Sequence, residues 1–316
     1  MKTVFILIFV LLAAIFIIFL LSPDVAPDLS NLVPEPTEQA RYSFSTNNIE
    51  PQPTPTSPAT ITPTVSFAVI GDYGDPSGPA DQVADLIKSW NVDAIVTTGD
   101  NAYPRGTEQD LASANERYAD FISACHFFPT LGNHDWGYPD SNSYTAETLP
   151  STEFFGNCTG NRYYSAVLGD GLVKIIVLST DSREPDVILQ SDFLQRELLT
   201  PEPYKFVFTH EPPYASCEGK TSDRSRLNFV GVTAVFSGHC HLYEHLNVDG
   251  MTYIVQGAGG GGQTDQFNAY QEGSLLQYNA QKGAVLVEVT PEAAKIYFIA
   301  VDGSVIEEFY LSPTSK

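Results

Sequence analysis

Five short polar clusters carry most of the side chains in this sequence that can do chemistry. They read Gly71-Asp72-Tyr73-Gly74, Gly99-Asp100-Asn101-Ala102-Tyr103, Gly132-Asn133-His134-Asp135, His210 alone, and Gly238-His239-Cys240-His241. Each follows an apolar run: FAVI, IVTT, FFPTL, VFT and VFS in turn. Singly they are ordinary, because a Gly-Asp after a strand is most often a turn or a helix cap. Together they set four of the six histidines, three aspartates, two asparagines and two tyrosines just beyond buried strands. Oxygen and imidazole donors with no thiolate requirement suit Zn, Fe or Mn. Two ions about 3.5–4 Å apart need a shared carboxylate and about three further ligands each. This inventory is large enough to supply them.

The elements that must position these clusters can be read from periodicity. VSFAVI (65–70), DAIVTT (93–98), CHFFPT (125–130), VKIIVLS (173–179), YKFVFT (204–209) and TAVFSG (233–238) read as buried strands. Val83, Leu86, Ile87 and Trp90 recur at helical spacing, which predicts an amphipathic helix over 80–90. Leu111, Ala114, Tyr118 and Ile122 predict a second helix; Phe193, Leu194, Glu197 and Leu198 predict a third. Beyond residue 250 the pattern is strand, in MTYIVQG, GAVLVEV, AAKIYFIAV and SVIEEFYL, with Asp302-Gly303 as a hairpin turn. Alternation followed by strands indicates an α/β sandwich around mixed sheets. Ligand sites in α/β folds lie outside the carboxyl ends of strands, so the five clusters can converge without long loops.

Composition narrows the classes of function. The chain has 316 residues, 16 Lys+Arg against 38 Asp+Glu, and a formal charge of −22. That balance argues against nucleic-acid partners, whose phosphates demand neutralising side chains. It also disfavours docking on anionic lipid by charge alone. Val4 to Leu21 carries no polar side chain and comes after Lys2; as a helix it would reach about 27 Å, close to a bilayer's hydrocarbon thickness. Residues 1–21 therefore read as an uncleaved membrane anchor, with a cleaved signal sequence as the rival. Either one exports the rest of the chain. Residues 22–64 hold nine of the 22 prolines and almost no apolar pattern, and read as a Pro/Ser/Thr-rich linker. A catalytic domain is expected over 65–312.

In order, the motifs GDYG, GDNAY, GNHD, VFTH and GHCH resemble the signature of calcineurin-like metallophosphoesterases. The tyrosine three residues after the second aspartate is similar to the purple acid phosphatase branch. The glycine run 257–262 stands where that branch has a glycine-rich loop beside its site. The resemblance implies a four-layer α/β sandwich of two mixed β-sheets flanked by helices. It implies Fe(III) held by Asp72, Tyr103 and His241, and Fe, Zn or Mn held by Asn133, His210 and His239, with Asp100 bridging. A phenolate is a hard anionic donor that suits ferric iron; neutral imidazole and amide donors suit a divalent ion.

The function so implied is an exported phosphatase, hydrolysing small-molecule phosphate monoesters by in-line attack of a metal-bound hydroxide. A phosphodiesterase or nucleotide/pyrophosphate hydrolase on the same two-metal site is the alternative. Asn133 and His134 are candidate phosphate-binding residues, and His134 is the candidate acid for the leaving oxygen. The sequence departs from the branch in having no further histidine between His210 and His239, where the family often has one for leaving-group protonation. The acid role then falls on His134 alone, on Glu211 or on a water, while His245 reads as a loop or core residue. Arg105, Lys220, Arg224 and Arg226 are the nearest cations for the rest of a substrate. Four cysteines pair in three ways; Cys125–Cys158 with Cys217–Cys240 is the pairing that would stiffen the metal site.

Overall fold

Apolar residues on both faces of a strand require a cover on both faces, and this requirement organises the domain. The computed structural model describes residues 65–76, 78–137, 144–159, 161–222 and 227–314. The anchor or signal expected at 1–21 and the linker at 22–64 lie outside the described residues. Among the described residues no helix is long and apolar enough to cross a membrane.

One sheet has six strands: β1 (Val65–Ile70), β2 (Ala94–Thr97), β3 (Phe127–Phe128), β11 (Gly283–Val289), β12 (Ala294–Ala300) and β13 (Val305–Leu311), in the order β13-β12-β11-β1-β2-β3. The other has seven: β4 (Tyr164–Leu168), β5 (Val173–Val177), β6 (Tyr204–Phe208), β7 (Ala234–Ser237), β8 (Tyr243–Val248), β9 (Met251–Gln256) and β10 (Ser274–Tyr278), in the order β10-β8-β9-β7-β6-β5-β4. Both are mixed. β1, β2 and β3 run parallel while β1 pairs antiparallel with β11. β5, β6, β7 and β9 run parallel, flanked by antiparallel β4 and β8.

Alternation along each strand divides the core into three apolar layers. Phe67, Val69, Phe206, Phe208, Phe236 and Phe298 point between the two sheets. Ala68, Ile70 and Ile95 face outward under α1 (Gly78–Ser89), which presents Val83, Ala84 and Ile87. Ile176, Val207 and Val235 face the opposite way, under α5 (Val187–Leu198) and its Leu194. Helix, sheet, sheet, helix: the expected four-layer sandwich is the fold.

Three details differ from the sequence pattern. CHFFPT yields only the two-residue β3. The helix expected through Leu111–Ile122 is broken into α2 (Glu108–Asn115), a 3₁₀ turn (Glu116–Tyr118) and α3 (Ala119–Ser123). α2 starts on a capping box, with Thr107 Oγ1 accepting from the Asp110 N–H and the Asp110 carboxylate accepting from the Thr107 N–H. It ends where buried Asn115 turns its amide to Asn101 O (3.1 Å) and Leu111 O (2.9 Å), with its oxygen accepting from Tyr73 (2.7 Å). Helical periodicity continues past that point, but satisfying the buried amide bends the backbone. α4 (Pro150–Phe154), β4, β8 and β10 are further elements that the pattern does not announce.

Phe206 lies at the centre of the inter-sheet packing, with Phe67 at 5.7 Å and Phe236 at 5.9 Å between ring centroids. Phe206→Ala is expected to cost about 3–5 kcal/mol in chemical denaturation. Leu199→Ala, at a side chain 87% exposed, should stay within about 0.5 kcal/mol of the parent. Equal losses would refute this placement of the core.

Candidate metal centre

The carboxyl ends of the parallel strands of both sheets open onto one place. β1 delivers Asp72, β2 delivers Asp100 and Tyr103, the chain after β3 delivers Asn133 and His134, β6 delivers His210, and β7 delivers His239 and His241. Asp72, Asp100 and His239 have φ of 54°, 55° and 66°, the left-handed conformation that turns a side chain back over its strand. Non-glycine residues adopt it at a cost, and such residues collect at functional sites. The two sheets are laced together here by Asp72 Oδ2, which accepts from the His239 N–H at 2.8 Å, and by Thr98 O, 2.8 Å from His210 Nδ1.

The candidate ligands form two poles. At the first, the Tyr103 hydroxyl lies 2.9 Å from Asp100 Oδ2, 3.3 Å from Asp72 Oδ1 and 3.2 Å from His241 Nε2. At the second, His210 Nε2 lies 3.0 Å from Asn133 Oδ1 and 3.4 Å from Asp100 Oδ1. The ring of His239 stands edge-on to His210, 4.9 Å between centroids. Asp100 thus turns one oxygen to each pole. Asp72, Asp100 and His210 are all buried, and their donor atoms lie within 4.8 Å of one another.

The protonation pattern tests whether this set fits cations. His210 Nδ1 lies against Thr98 O and His241 Nδ1 against Gln263 O (3.0 Å). A carbonyl only accepts, so both Nδ1 atoms carry a proton, and a neutral ring at either place turns its Nε2 lone pair inward. That is the arrangement of metal-binding histidines, whose outer nitrogen donates to a carbonyl or carboxylate. His210 Nε2, Asn133 Oδ1 and Asp100 Oδ1 face one another, so a proton on Nε2 or a bound cation must lie among them. Burial alone would lower His210, but the charges of Asp100 and Asp72 lift it to about 9. Burial would likewise raise Asp72, but His241, His210 and His239 hold it below the usual carboxylate range. Burial and the neighbouring His210 push His239 down to about 4. The donors fit a cation pair.

Other polar groups build the walls. Asn101 donates to Thr130 O (2.6 Å) and Asp135 Oδ2 (2.9 Å), and accepts from Tyr73 and Thr97. Tyr73 and Asp135, despite their places in the motifs, face Asn101 and not the poles. Burial and the charge of Asp100 push Asp135 up to about 7. Lys220 donates to His239 O (2.8 Å) and Asp265 (2.7 Å), whose carboxylate also accepts from the His241 N–H. It braces the histidine turn. Arg105 is exposed, and Arg224 and Arg226 lie outside the described residues. His245 is on β8, bonded to Glu307 (2.8 Å) and stacked on Phe309. Glu211 is bonded to Thr180. Disulfides join Cys125 to Cys158 and Cys217 to Cys240. Arg183, Asp181 and Asp265 stand outside all five motifs, and no spacing in the sequence points to them.

The family described as calcineurin-like phosphoesterase matches residues 65–243. The chain belongs to that family of metal-dependent phosphoric ester hydrolases. Among solved structures it is similar to purple acid phosphatase PPD1 from yellow lupin seeds, at 18% identity and a TM-score of 0.61, over 78% of this chain and 53% of the lupin chain. It spans about half of that enzyme's length. It is also similar to GAP50, the anchor in the inner membrane complex of Plasmodium, at 19% identity and a TM-score of 0.60, over 80% of this chain and 90% of the other. Both likenesses concern the fold. A comparison with curated proteins gives no match.

Gly132 has no room for a side chain. A Cβ there would press on Asp100 Oδ1 and its backbone nitrogen and stand 2.8 Å from His210 Cε1. Gly132→Ala is expected to lower stability by about 1–3 kcal/mol through overpacking and to cut bound metal. Elemental analysis after gel filtration, with urea unfolding alongside, reads both. Unchanged metal content would mean that Asp100 and His210 tolerate displacement.

Proposed function

We propose that the protein is an exported phosphatase of the purple acid phosphatase type, acting on small-molecule phosphate monoesters. The observation that carries this reading is the Tyr103 hydroxyl set among Asp72, Asp100 and His241. A phenolate ligand at that pole favours ferric iron. Asp72, Tyr103 and His241 would hold Fe(III), and Asn133, His210 and His239 would hold Fe, Zn or Mn, with Asp100 between. The pair, when bound, supplies the Lewis-acid charge that draws a phosphate and activates water for in-line displacement.

The chain's own groups do the rest. Asp100 Oδ1 accepts the His134 N–H at 2.9 Å, which fixes the turn carrying Asn133 and His134. His134 Nδ1 lies 2.7 Å from Pro104 O and so keeps its proton there. Its Nε2, 3.9 Å from Asp100 Oδ2, is the atom that carries a proton to or from a leaving oxygen. The ring is held edge-on by Tyr103, 4.3 Å between centroids, and is half-buried, open to an arriving ester. Glu211 is engaged with Thr180, which favours His134 as the acid.

A visible absorption band from tyrosinate-to-iron charge transfer is expected and should vanish in Tyr103→Phe. Nitrophenyl phosphate should be hydrolysed at least about tenfold faster than its bis-ester, judged by kcat/KM. A preference for the bis-ester would move the assignment to a phosphodiesterase, and a colourless active enzyme would remove iron from the first pole.

Two disulfides support export, since such bonds persist in oxidising compartments. Protein taken from its source and denatured without reductant should show no thiol reacting with maleimide. Four reactive thiols would place the chain in a reducing compartment.

A further inference from the structure

The loop after β5 contributes no candidate ligand, yet it is bonded to two of the three segments that bear the second pole. Its start is pinned to α5. The Ser179 N–H donates to Gln190 Oε1 (2.8 Å) and Gln190 Nε2 donates to Ser179 O (3.0 Å), with both residues buried. Next, the Thr180 hydroxyl donates to the Glu211 carboxylate and accepts from the Glu211 N–H at 3.2 Å. Glu211 adjoins His210. Finally, Arg183 forks onto buried Asp181, Nε to Oδ1 and Nη2 to Oδ2, each at 2.7 Å. It also donates to Asn133 O (3.0 Å), Trp136 O (3.0 Å) and Gly137 O (2.6 Å).

Three main-chain carbonyls in one turn point the same way, and their dipoles repel unless a cation lies among them. A guanidinium has five donors in a rigid fork, so it can satisfy Asp181 and three carbonyls together; an ammonium has three donors and cannot. The Asn133 carbonyl is part of the same residue whose Oδ1 faces His210. Fixing that carbonyl, with Asp100 fixing the next N–H, leaves the Asn133 side chain little freedom. His241 of the first pole is braced from elsewhere in the chain, by Asp265 and Gln263, while Lys220 ties Asp265 to the His239 carbonyl.

We propose that Arg183 is a positioning residue that sets cation affinity at the Asn133/His210 pole without affecting the Asp72/Tyr103/His241 pole. This rests on the two-metal reading above. Thr180 acts with it from the His210 side, so the loop after β5 selects how firmly the second ion is kept.

The test uses the full chain loaded with metal and challenged with increasing EDTA. Metal per chain is read by elemental analysis, and the first pole by its visible band. Arg183→Ala is expected to release one ion at roughly 10–100-fold lower chelator than the parent, the usual effect of losing a partner behind a ligand, with the band intact. Arg183→Lys, which keeps the charge and most of the volume, should behave alike, and Thr180→Val should shift the same ion. Arg162→Ala is the control. Arg162 clamps Glu184 (2.9 Å) and Asp186 (2.6 Å) in the same segment and has no bond to the turn at 133–137; its loss should leave both ions in place. The proposal is overturned if Arg183 variants keep both ions at parental chelator, lose both together, or lose no more than Arg162→Ala. A parent chain that never takes up two ions would sink the two-metal reading itself, which the loaded parent reveals before any variant is compared.

Discussion

The structure turns on two carboxylates, Asp72 and Asp100, buried side by side where the two sheets meet. Charge in such a place is costly unless compensated. The chain compensates with imidazoles, and it does so in a particular way. The outer nitrogens of His210 and His241 are committed to Thr98 O and Gln263 O, so the inner nitrogens face the carboxylates and take either a proton or a cation. A neutral cluster arranged like this would repel itself. The charges of Asp100 and Asp72 overcome burial and lift His210 to about 9, so a proton on its inner nitrogen is one way to meet that demand. Two cations satisfy the same demand with the hydrogen bonds to Thr98 and Gln263 unchanged.

From that demand the backbone around the site is determined. Donor atoms within 4.8 Å of one another must come from strands of different sheets, so their turns must pass closer than side chains allow. Gly132 lies against Asp100 and His210 for this reason, and Gly261 lies 2.6 Å, measured from a hypothetical Cβ, from the Tyr103 ring. The left-handed φ values of Asp72, Asp100 and His239 belong to the same constraint. The apolar layers behind them then have to be rigid, because a ligand that relaxes by about half an ångström no longer converges. Phe208 and Phe236, stacked at 5.1 Å just short of their turns, provide that support from between the sheets.

Strands buried on both faces write themselves into the sequence as unbroken apolar runs, so β1, β2, β5, β6 and β7 are legible there, and with them the polar residues at their ends. The second sheet's edge strand β10 is not. SLLQY lies between polar loops and alternates between half-buried and exposed, a pattern shared with many loops. The break at Asn115 is hidden because the competing force is a hydrogen bond to Asn101, distant in sequence and invisible to helical periodicity. The same reason conceals Arg183. It serves Asn133, Trp136 and Gly137 through their main-chain carbonyls, which every residue has, so nothing in the local sequence marks those partners. Ligands are legible because their chemistry is in their side chains; the groups that hold the ligands' backbone are not.

The disulfides belong to this second category of support. Cys217–Cys240 is buried in the apolar layer beneath α5, while Cys125–Cys158 is partly exposed. Cys125–Cys158 closes 33 residues around the turn that carries Asn133 and His134, and Cys217–Cys240 closes 23 and ends between His239 and His241. On chain-entropy grounds each contributes about 3–4 kcal/mol by restricting the unfolded chain. Had global stability been the only need, bonds anywhere would have served equally. Placed here, they restrain turns that stand beyond the strand ends, adding to the packing of Cys240 and Leu242 at one turn and of Trp136 at another. Lys220 with Asp265 at the turn of His239 and His241, and Arg183 with Asp181 at the turn of Asn133, add ionic bracing to the same turns. Packing fixes where the strands end, and these polar and covalent ties fix what the turns beyond them present.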